Sequence, residues 1–182
     1  MTTTRIVTGH DSSGSSTIIS SGSLAGAEEF THSPGFSAAV VWQTSPVPDI
    51  ADRPKLSEHP ARSVIPAPGG TTALLVTFPP DSLFASPDFD PAAAAGELCE
   101  RLPGLGELFE ADNPGFHRTD SIDYGIVLEG EITLELDQQS HHLRQGDIVV
   151  QGGTRHAWRN PGSKPARLLF VLVGANRPER SG

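Results

Sequence analysis

Residues 117–160 constrain the fold more than any other part of the chain, because short apolar–polar alternations are separated there by turn residues. Ile132, Leu134 and Leu136 alternate with Glu and Thr, which is the two-residue period of a strand with one buried face. The Glu129-Gly130 step just before this run favours a tight hairpin. This stretch therefore predicts short antiparallel strands.

The rest of this region continues the same pattern. Polar turns are predicted at 137–140 and 145–147, and Gly152-Gly153 ends the apolar run 148–150. The run Leu168–Val173 has no polar alternation, which predicts a strand covered on both faces. Five or six short strands at this spacing indicate a sandwich or a barrel.

Charge and composition exclude several classes of partner. The formal net charge is −9, which argues against nucleic acid and anionic membrane surfaces, since both require basic patches. No apolar run approaches the ~20 residues of a membrane span, and we expect no secretory signal. The single cysteine excludes an internal disulfide framework and fits a reducing compartment. We therefore expect a cytoplasmic protein.

The N-terminal part, 1–80, is predicted to be an extension whose strands complete the barrel or a dimer sheet. Residues 1–23 form either an edge hairpin or a flexible arm. The Pro-rich stretch 45–70 predicts an extended loop. The strand candidates are Arg5–Val7, Ser37–Thr44 and Ala73–Phe78.

Residues 81–115 are predicted to be a helical insert. Asp90 precedes Pro91 as an N-cap precedes a proline at the first helical position, and alanines follow. Pro103, Gly104 and Gly106 should divide the insert into two short helices. The insert is expected to be an amphipathic cover on the barrel, with a lid over its mouth as the functional alternative. The barrel core is predicted at 116–174, and a disordered tail at 175–182.

Two patterns in the C-terminal half resemble the motifs of the cupin superfamily. His117-x-Thr119-x3-Asp123-x6-Gly130 is similar to the first motif, and Gly153-x2-His156-x3-Asn160 is similar to the end of the second. Thr119 stands where the family usually has a second His, and Asp123 stands where it usually has Glu. The resemblance implies an all-β cupin fold, a jelly-roll-like double-stranded β-barrel. The fold alone does not give the reaction.

Carried over by position, the resemblance implies a divalent metal on His117, Asp123 and His156, with Thr119 as a weaker ligand. Two His and one carboxylate suit non-haem Fe(II) with open positions, and Zn, Mn or Ni are also compatible. Asp123 could instead cap a turn or pair with an Arg. Tyr124 and Asp120 are candidates for catalytic roles.

The resemblance favours a metal-dependent enzyme that acts on a small organic molecule, either as an oxygenase or as a redox-neutral cyclase, isomerase, dehydratase or decarboxylase. It also implies a homodimer. The alternative is a cupin that binds a small molecule without catalysis at a degenerate metal site. A storage or regulatory protein is a third possibility, although the sequence contains no helix-turn-helix pattern.

Overall fold

The computed structural model describes residues 3–50 and 63–178, and the secondary structure is mostly β. One α-helix, α1 (Pro91–Arg101), and two 3₁₀ turns, Asp81–Leu83 and Gly106–Leu108, occur among these residues. The strands are β1 (Thr4–His10), β2 (Ser16–Ser23), β3 (Ser37–Thr44), β4 (Thr71–Phe78), β5 (Ser121–Glu129), β6 (Glu131–Leu136), β7 (Ser140–Arg144), β8 (Ile148–Gln151), β9 (His156–Arg159) and β10 (Ala166–Gly174).

The strands form two main antiparallel sheets. Five strands pair in the order β3-β4-β10-β5-β8, and three pair in the order β7-β6-β9. The described strands of these two sheets are not joined into one closed sheet, but their arrangement is that of the expected double-stranded β-barrel. Strands β1 and β2 form a separate hairpin, so a hairpin rather than a flexible arm is present, but it does not extend the edge of either main sheet.

The core lies between the two main sheets. Ile132 from the three-stranded sheet packs in the same apolar cluster as Val127 and Leu168 from the five-stranded sheet, and all three are buried. Val64, in the described part of the predicted 45–70 loop, joins this cluster; residues 51–62 of that loop lie outside the described residues. Burial of these apolar side chains is the main stabilising contribution to the fold.

Local sequence signals account for most element boundaries. Gly130 has a φ of 77° in the one-residue connection between β5 and β6. A Cβ atom there would lie 2.6 Å from the carbonyl oxygen of Pro165, so glycine is required on both counts. The turns predicted at 137–140 and 145–147 are also present, between β6 and β7 and between β7 and β8.

The predicted helical insert contains one helix rather than two. The Asp90 carboxylate accepts hydrogen bonds from the backbone N–H groups of Ala92 and Ala93, as expected for an N-cap. The helix ends at Arg101, before Pro103, and the second predicted helix is only the 3₁₀ turn at Gly106–Leu108. No described helix is long and apolar enough to cross a membrane.

Two other expectations differ from the structure. On β10, Leu168, Phe170 and Leu172 are buried, but the alternate residues are only half-buried, so the strand is covered fully on one face. The start of the predicted disordered tail is held in place. The backbone N–H of Ala175 donates to the carbonyl of Asp120, and Arg177 binds the Asp120 side chain; residues 179–182 lie outside the described residues.

Candidate functional site

A cavity of about 780 Å³ lies between the two sheets, and many of its lining residues come from the segment 81–115. Its aromatic lining comprises Phe36, Phe78, Phe84, Phe89, Phe109, Trp158 and Phe170. Five of the polar side chains that line it are here called the polar wall: His117, Thr119, Asp123, Gln151 and His156. A largely apolar cavity with a few grouped polar side chains is typical of a small-molecule site.

Backbone pairing brings the two histidines of the polar wall together. Each of His117 and His156 donates its backbone N–H to the carbonyl oxygen of the other, at 3.0 Å in both directions. Their rings lie 4.4 Å apart between centroids. His156 begins β9, which pairs with β6 through Leu136. The two predicted ligands that are distant in sequence are therefore neighbours.

The δ nitrogens of both histidines face backbone carbonyls. Nδ1 of His117 lies 3.1 Å from the oxygen of Gly115, and Nδ1 of His156 lies 2.9 Å from the oxygen of Thr154. A carbonyl oxygen can only accept a hydrogen bond, so Nδ1 carries the proton in each ring. The neutral rings therefore have bare Nε2 lone pairs, the arrangement by which ligating histidines are usually oriented.

Burial keeps both imidazoles neutral. Burial, together with a smaller contribution from the adjacent His156, lowers the pKa of His117 to about 4. Burial likewise lowers the pKa of His156, against a smaller opposing effect of its hydrogen bond to Thr154. The site thus holds two uncharged bases near neutral pH.

Asp123 is buried on the inner face of β5, at 6% exposure. Burial raises the pKa of its carboxyl group, and nearby hydroxyl groups offset part of this increase. Its Oδ1 atom is buried and has no hydrogen-bond partner among the described residues. A buried carboxyl oxygen without a partner is costly for folding, so this atom is a strong indicator of a functional role.

Thr119, proposed from the family resemblance as a weaker ligand, lies beside Asp123. Its hydroxyl faces Asp123 Oδ2 at 3.5 Å and accepts a hydrogen bond from the Ser121 hydroxyl at 2.9 Å. Gln151 is opposite Asp123 in the β5–β8 register, and its side-chain amide donates to Thr154. Thr119 is thus next to Asp123 of β5, and Gln151 is opposite Asp123 on the neighbouring strand β8.

The segment 81–115 reaches the polar wall directly. Phe109 stacks on His117, with the two ring centroids 4.3 Å apart and the planes inclined by 25°. Nearby, Arg155 donates two hydrogen bonds to the Glu110 carboxylate, at 2.6 Å and 2.7 Å. Both contacts hold the segment over the cavity, which agrees with the expected cover.

Neither candidate catalytic residue lies on the cavity. Tyr124 is on the outer face of β5 and is 46% exposed, because adjacent residues of a strand point to opposite faces. Asp120 is on the surface and forms an ion pair with Arg177. We therefore give neither residue a role at the polar wall.

The sequence did not single out Gln151 or Phe109. Strand alternation was the available signal for Gln151, because it shares a face with Val149, and both line the cavity. No local pattern marks Phe109, since its position on His117 depends on how the segment 81–115 folds back over the sheets.

The donor types of the predicted metal site suit a divalent ion, but their spacing does not. Two Nε2 atoms and the orphaned Asp123 Oδ1 make a two-His, one-carboxylate donor set. However, no three His, Cys, Asp or Glu side chains in residues 3–50 and 63–178 lie close enough together to hold a metal ion. As it stands, the structure does not fit a three-ligand metal centre.

Comparisons with known proteins place several relatives in fungal biosynthesis clusters. Phomopsin biosynthesis cluster protein C' of Diaporthe leptostromiformis is 47% identical over 88 residues, which cover 44% of this chain and 47% of the relative. The cupin-domain-containing oxidoreductase virC of Hypocrea virens is 48% identical over 61 residues, covering 31% of each chain. The matched part thus spans about half or less of these relatives.

Among solved structures, a Cupin 2 conserved barrel domain protein from Salinispora arenicola matches with a TM-score of 0.42 and 14% sequence identity, covering 77% of this chain and 76% of that one. The family model described as "Cupin domain" matches residues 110–172. This match begins at Glu110, which lines the cavity, and it includes all five residues of the polar wall. Residues 110–172 of this chain therefore match a cupin domain.

Proposed function

We propose that the chain is a cupin-type enzyme, of the oxidoreductase class, that acts on a small and mainly apolar organic molecule. The observation that carries this proposal is the polar wall: two neutral imidazoles and an unpartnered buried carboxyl group line a largely apolar cavity. Reactive groups placed in a desolvated cavity are characteristic of active sites rather than of structural cores.

The cavity supports the proposed substrate class. Phe78, Trp158 and Phe170 contact one another within the barrel, with ring centroids 5.3–6.4 Å apart. Their planes are inclined to one another by 40–81°, and their faces and edges offer an apolar surface to a ring or an alkyl chain. A substrate bound there would have its polar end at the wall, and water would be displaced from around it.

The side chains of the polar wall are suited to move a proton. The bare Nε2 of His117 or His156 can accept a proton from a bound hydroxyl group, while Nδ1 stays hydrogen-bonded to its carbonyl. Asp123, whose pKa is raised, can exchange a proton with the substrate through Oδ1. Thr119 positions this carboxyl group through Oδ2.

The oxidoreductase part of the proposal is supported by relatives. Proteins of Hypocrea virens, Aspergillus ruber and Neurospora crassa that match this chain are named cupin-domain-containing oxidoreductases. Each match spans about a third of the relative, so the activity of the whole relative comes to this chain only as a proposal. An oxidation also needs an electron acceptor, which the polar wall itself does not supply.

A divalent metal is the finer part of the proposal. Fe(II) is favoured over Zn, Mn and Ni, with His117 and His156 as the ligands that the structure already brings together. When bound, iron would supply electron-transfer or dioxygen chemistry. Asp123 would have to move closer to the two imidazoles to become the third ligand.

Elemental mass spectrometry of the purified protein tests the metal directly. We expect metal bound after anaerobic reconstitution with Fe(II) in the wild type, and its loss in the His156→Ala variant. The matched control is His142→Ala, because His142 lies on the surface beside Glu131. Metal retained at the same stoichiometry in His156→Ala would show that the polar wall is not the metal site.

The second candidate function is a small-molecule-binding cupin without catalysis. The observation that favours it is the spacing of the three donors, which do not assemble into a metal centre in the described structure. Such a protein would still use the aromatic cavity for binding.

One experiment separates the two functions. The protein is first treated with a chelator or loaded with each metal in turn. It is then incubated with a small-molecule extract of cells that carry its gene, and the extract is analysed by mass spectrometry. Enzyme action predicts compounds that are consumed by the wild type and by His142→Ala but not by His156→Ala. Compounds that copurify with the protein and remain unchanged under every condition would instead establish the binding function.

A further inference from the structure

The polar wall contains hydrogen-bond acceptors that no described residue uses. Nε2 of His117 and Nε2 of His156 are bare, since the ring proton is on Nδ1 in both residues. Asp123 Oδ1 is buried and unpartnered. A ligand that displaces water from these atoms without donating a hydrogen bond to them binds less tightly, because each atom loses its hydration.

The donors of the same wall are already engaged. The Thr119 hydroxyl is directed at Asp123, and the Ser121 hydroxyl behind it is bound to Thr119. The Gln151 amide donates to Thr154. Trp158, which also lines the cavity, lies outside the polar wall.

The charges on the cavity lining also disfavour an anionic ligand. Asp81, Glu107 and Glu110 line the cavity in addition to Asp123, and among the described lining residues Arg159 carries the one guanidinium, which is paired with Glu135 at 2.7 Å. Within the described part of the lining, a bound anion would therefore meet carboxylates and lone pairs without a free cation to neutralise it. Burying an unpaired carboxylate is strongly unfavourable.

We infer that the ligand of this cavity is an uncharged aromatic molecule that presents a hydroxyl group, such as a phenol, to His117, His156 and Asp123. This inference rests on the proposed function and names the substrate class for the same site. The hydroxyl group donates to an acceptor of the polar wall, and the aromatic body packs on Trp158 and Phe170. Carboxylic acids and ethers of the same shape lack that donor at neutral pH.

Three probes of one shape test the inference: 2-naphthol, 2-methoxynaphthalene and 2-naphthoate. Binding is measured by isothermal titration calorimetry on chelator-treated full-length protein, so that a metal–phenolate bond does not contribute. We expect 2-naphthol to bind about tenfold more tightly than either other probe, since sites that hydrogen-bond a hydroxyl group discriminate against analogues without it.

The His156→Phe variant removes one acceptor and keeps an aromatic ring. In this variant we expect the advantage of 2-naphthol over 2-methoxynaphthalene to shrink to about twofold, while 2-methoxynaphthalene itself binds as before. His142→Gln, a surface substitution, should leave all three affinities unchanged. Circular dichroism checks that the variants are folded. If His156→Phe does not fold, the relative affinities of the three probes for the wild type test the inference.

The outcomes separate this inference from the proposed function. Equal binding of the three probes, or tightest binding of 2-naphthoate, overturns the hydroxyl inference but leaves the apolar cavity as a binding site. Failure of all three probes to bind at millimolar concentration overturns both, because the cavity would then not be a small-molecule site.

Discussion

The two faces of the five-stranded sheet differ in what covers them. On the inner face, β5 places Asp123, Gly125 and Val127 against the cavity and core. On the outer face, the alternate residues Ile122 and Tyr124 are 43% and 46% exposed. Val150 and Ile148 of β8 continue this outer surface and are more exposed still.

The difference shows that apolar character alone does not identify the core of this protein. Both faces of β10 are rich in Leu and Val, but only Leu168, Phe170 and Leu172 have a second sheet to pack against. Part of the outer face is covered near β3 and β4, where Leu24 packs on Ala39 and Leu75. The uncovered part near β5 and β8 is an exposed apolar patch of the kind that often marks an interaction surface.

The largest expected effect is on stability, from neighbouring leucines on opposite faces of β10. Leu168 is fully buried, and Leu168→Ala should lower the free energy of unfolding by roughly 3–4 kcal/mol, because the lost side chain leaves a cavity. Leu169→Ala, on the half-buried outer face, should cost about 1 kcal/mol or less. Urea unfolding measures both; equal losses would mean that the outer face is also covered.

A second prediction uses the pH dependence of stability. The pKa of His117 is lowered by burial to about 4 in the folded state, so its neutral form stabilises the fold above pH ~6.5 and this contribution is lost as pH falls towards 4. His117→Phe does not titrate. From pH 7 to pH 4, we expect the wild type to lose about 3 kcal/mol relative to this variant.

This pH comparison is made on chelator-treated protein by urea unfolding at each pH. Asp123 acts in the opposite direction, because its raised pKa makes folding more favourable as pH falls. Its contribution is common to both proteins, so the difference between them isolates His117. A difference that does not change with pH would show that His117 is exposed to solvent in the folded protein.

A smaller effect is expected at Gly125, on the cavity side of β5. A Cβ atom there would lie 3.1 Å from the Phe170 ring, so the ring must shift. Gly125→Ala should lower stability by about 1 kcal/mol and weaken binding of 2-naphthol. Gly152→Ala is the matched control, since a Cβ atom at Gly152 meets nothing within 4 Å. Unchanged binding in Gly125→Ala would place the ligand elsewhere.

The smallest effect on the folded chain is expected on the outer face. Val150 is 64% exposed, so Val150→Lys should change the free energy of unfolding by about 0.5 kcal/mol or less. The homodimer expected from the family resemblance stays a prediction. If it uses this face, sedimentation of Val150→Lys should show a lower dimer fraction than the wild type, with Ile6→Lys on the hairpin as a comparison variant.

The sequence predicted the local features of this fold well. Glycines and polar turns between 129 and 147 gave the boundaries of β5 to β8, because tight turns have specific residue requirements. The Asp90 cap of α1 was predictable for the same reason. The family resemblance then brought His117 and His156 into one site, which their distance in sequence could not have done.

What the sequence could not predict depends on contacts between distant segments. Tyr124 was a catalytic candidate because its polar tip could reach a ligand, but strand alternation directs it to the other face. The stacking of Phe109 on His117 and the pairing of Arg155 with Glu110 arise only when the segment 81–115 closes over the sheets. Whether Asp123 reaches a metal is likewise a matter of distances rather than of residue types.

The position of β10 has a consequence for how the chain folds. This strand lies between β4 and β5 in the middle of the sheet, although it follows every other described strand in the chain. Pairing β10 with β4 closes a long loop. The chain therefore loses conformational entropy before the stabilising contacts form, and this slows folding. Until β10 docks, β4 and β5 each present an unpaired edge to other molecules. Refolding yield should therefore fall as protein concentration rises, even though the finished sheet has only β3 and β8 at its edges.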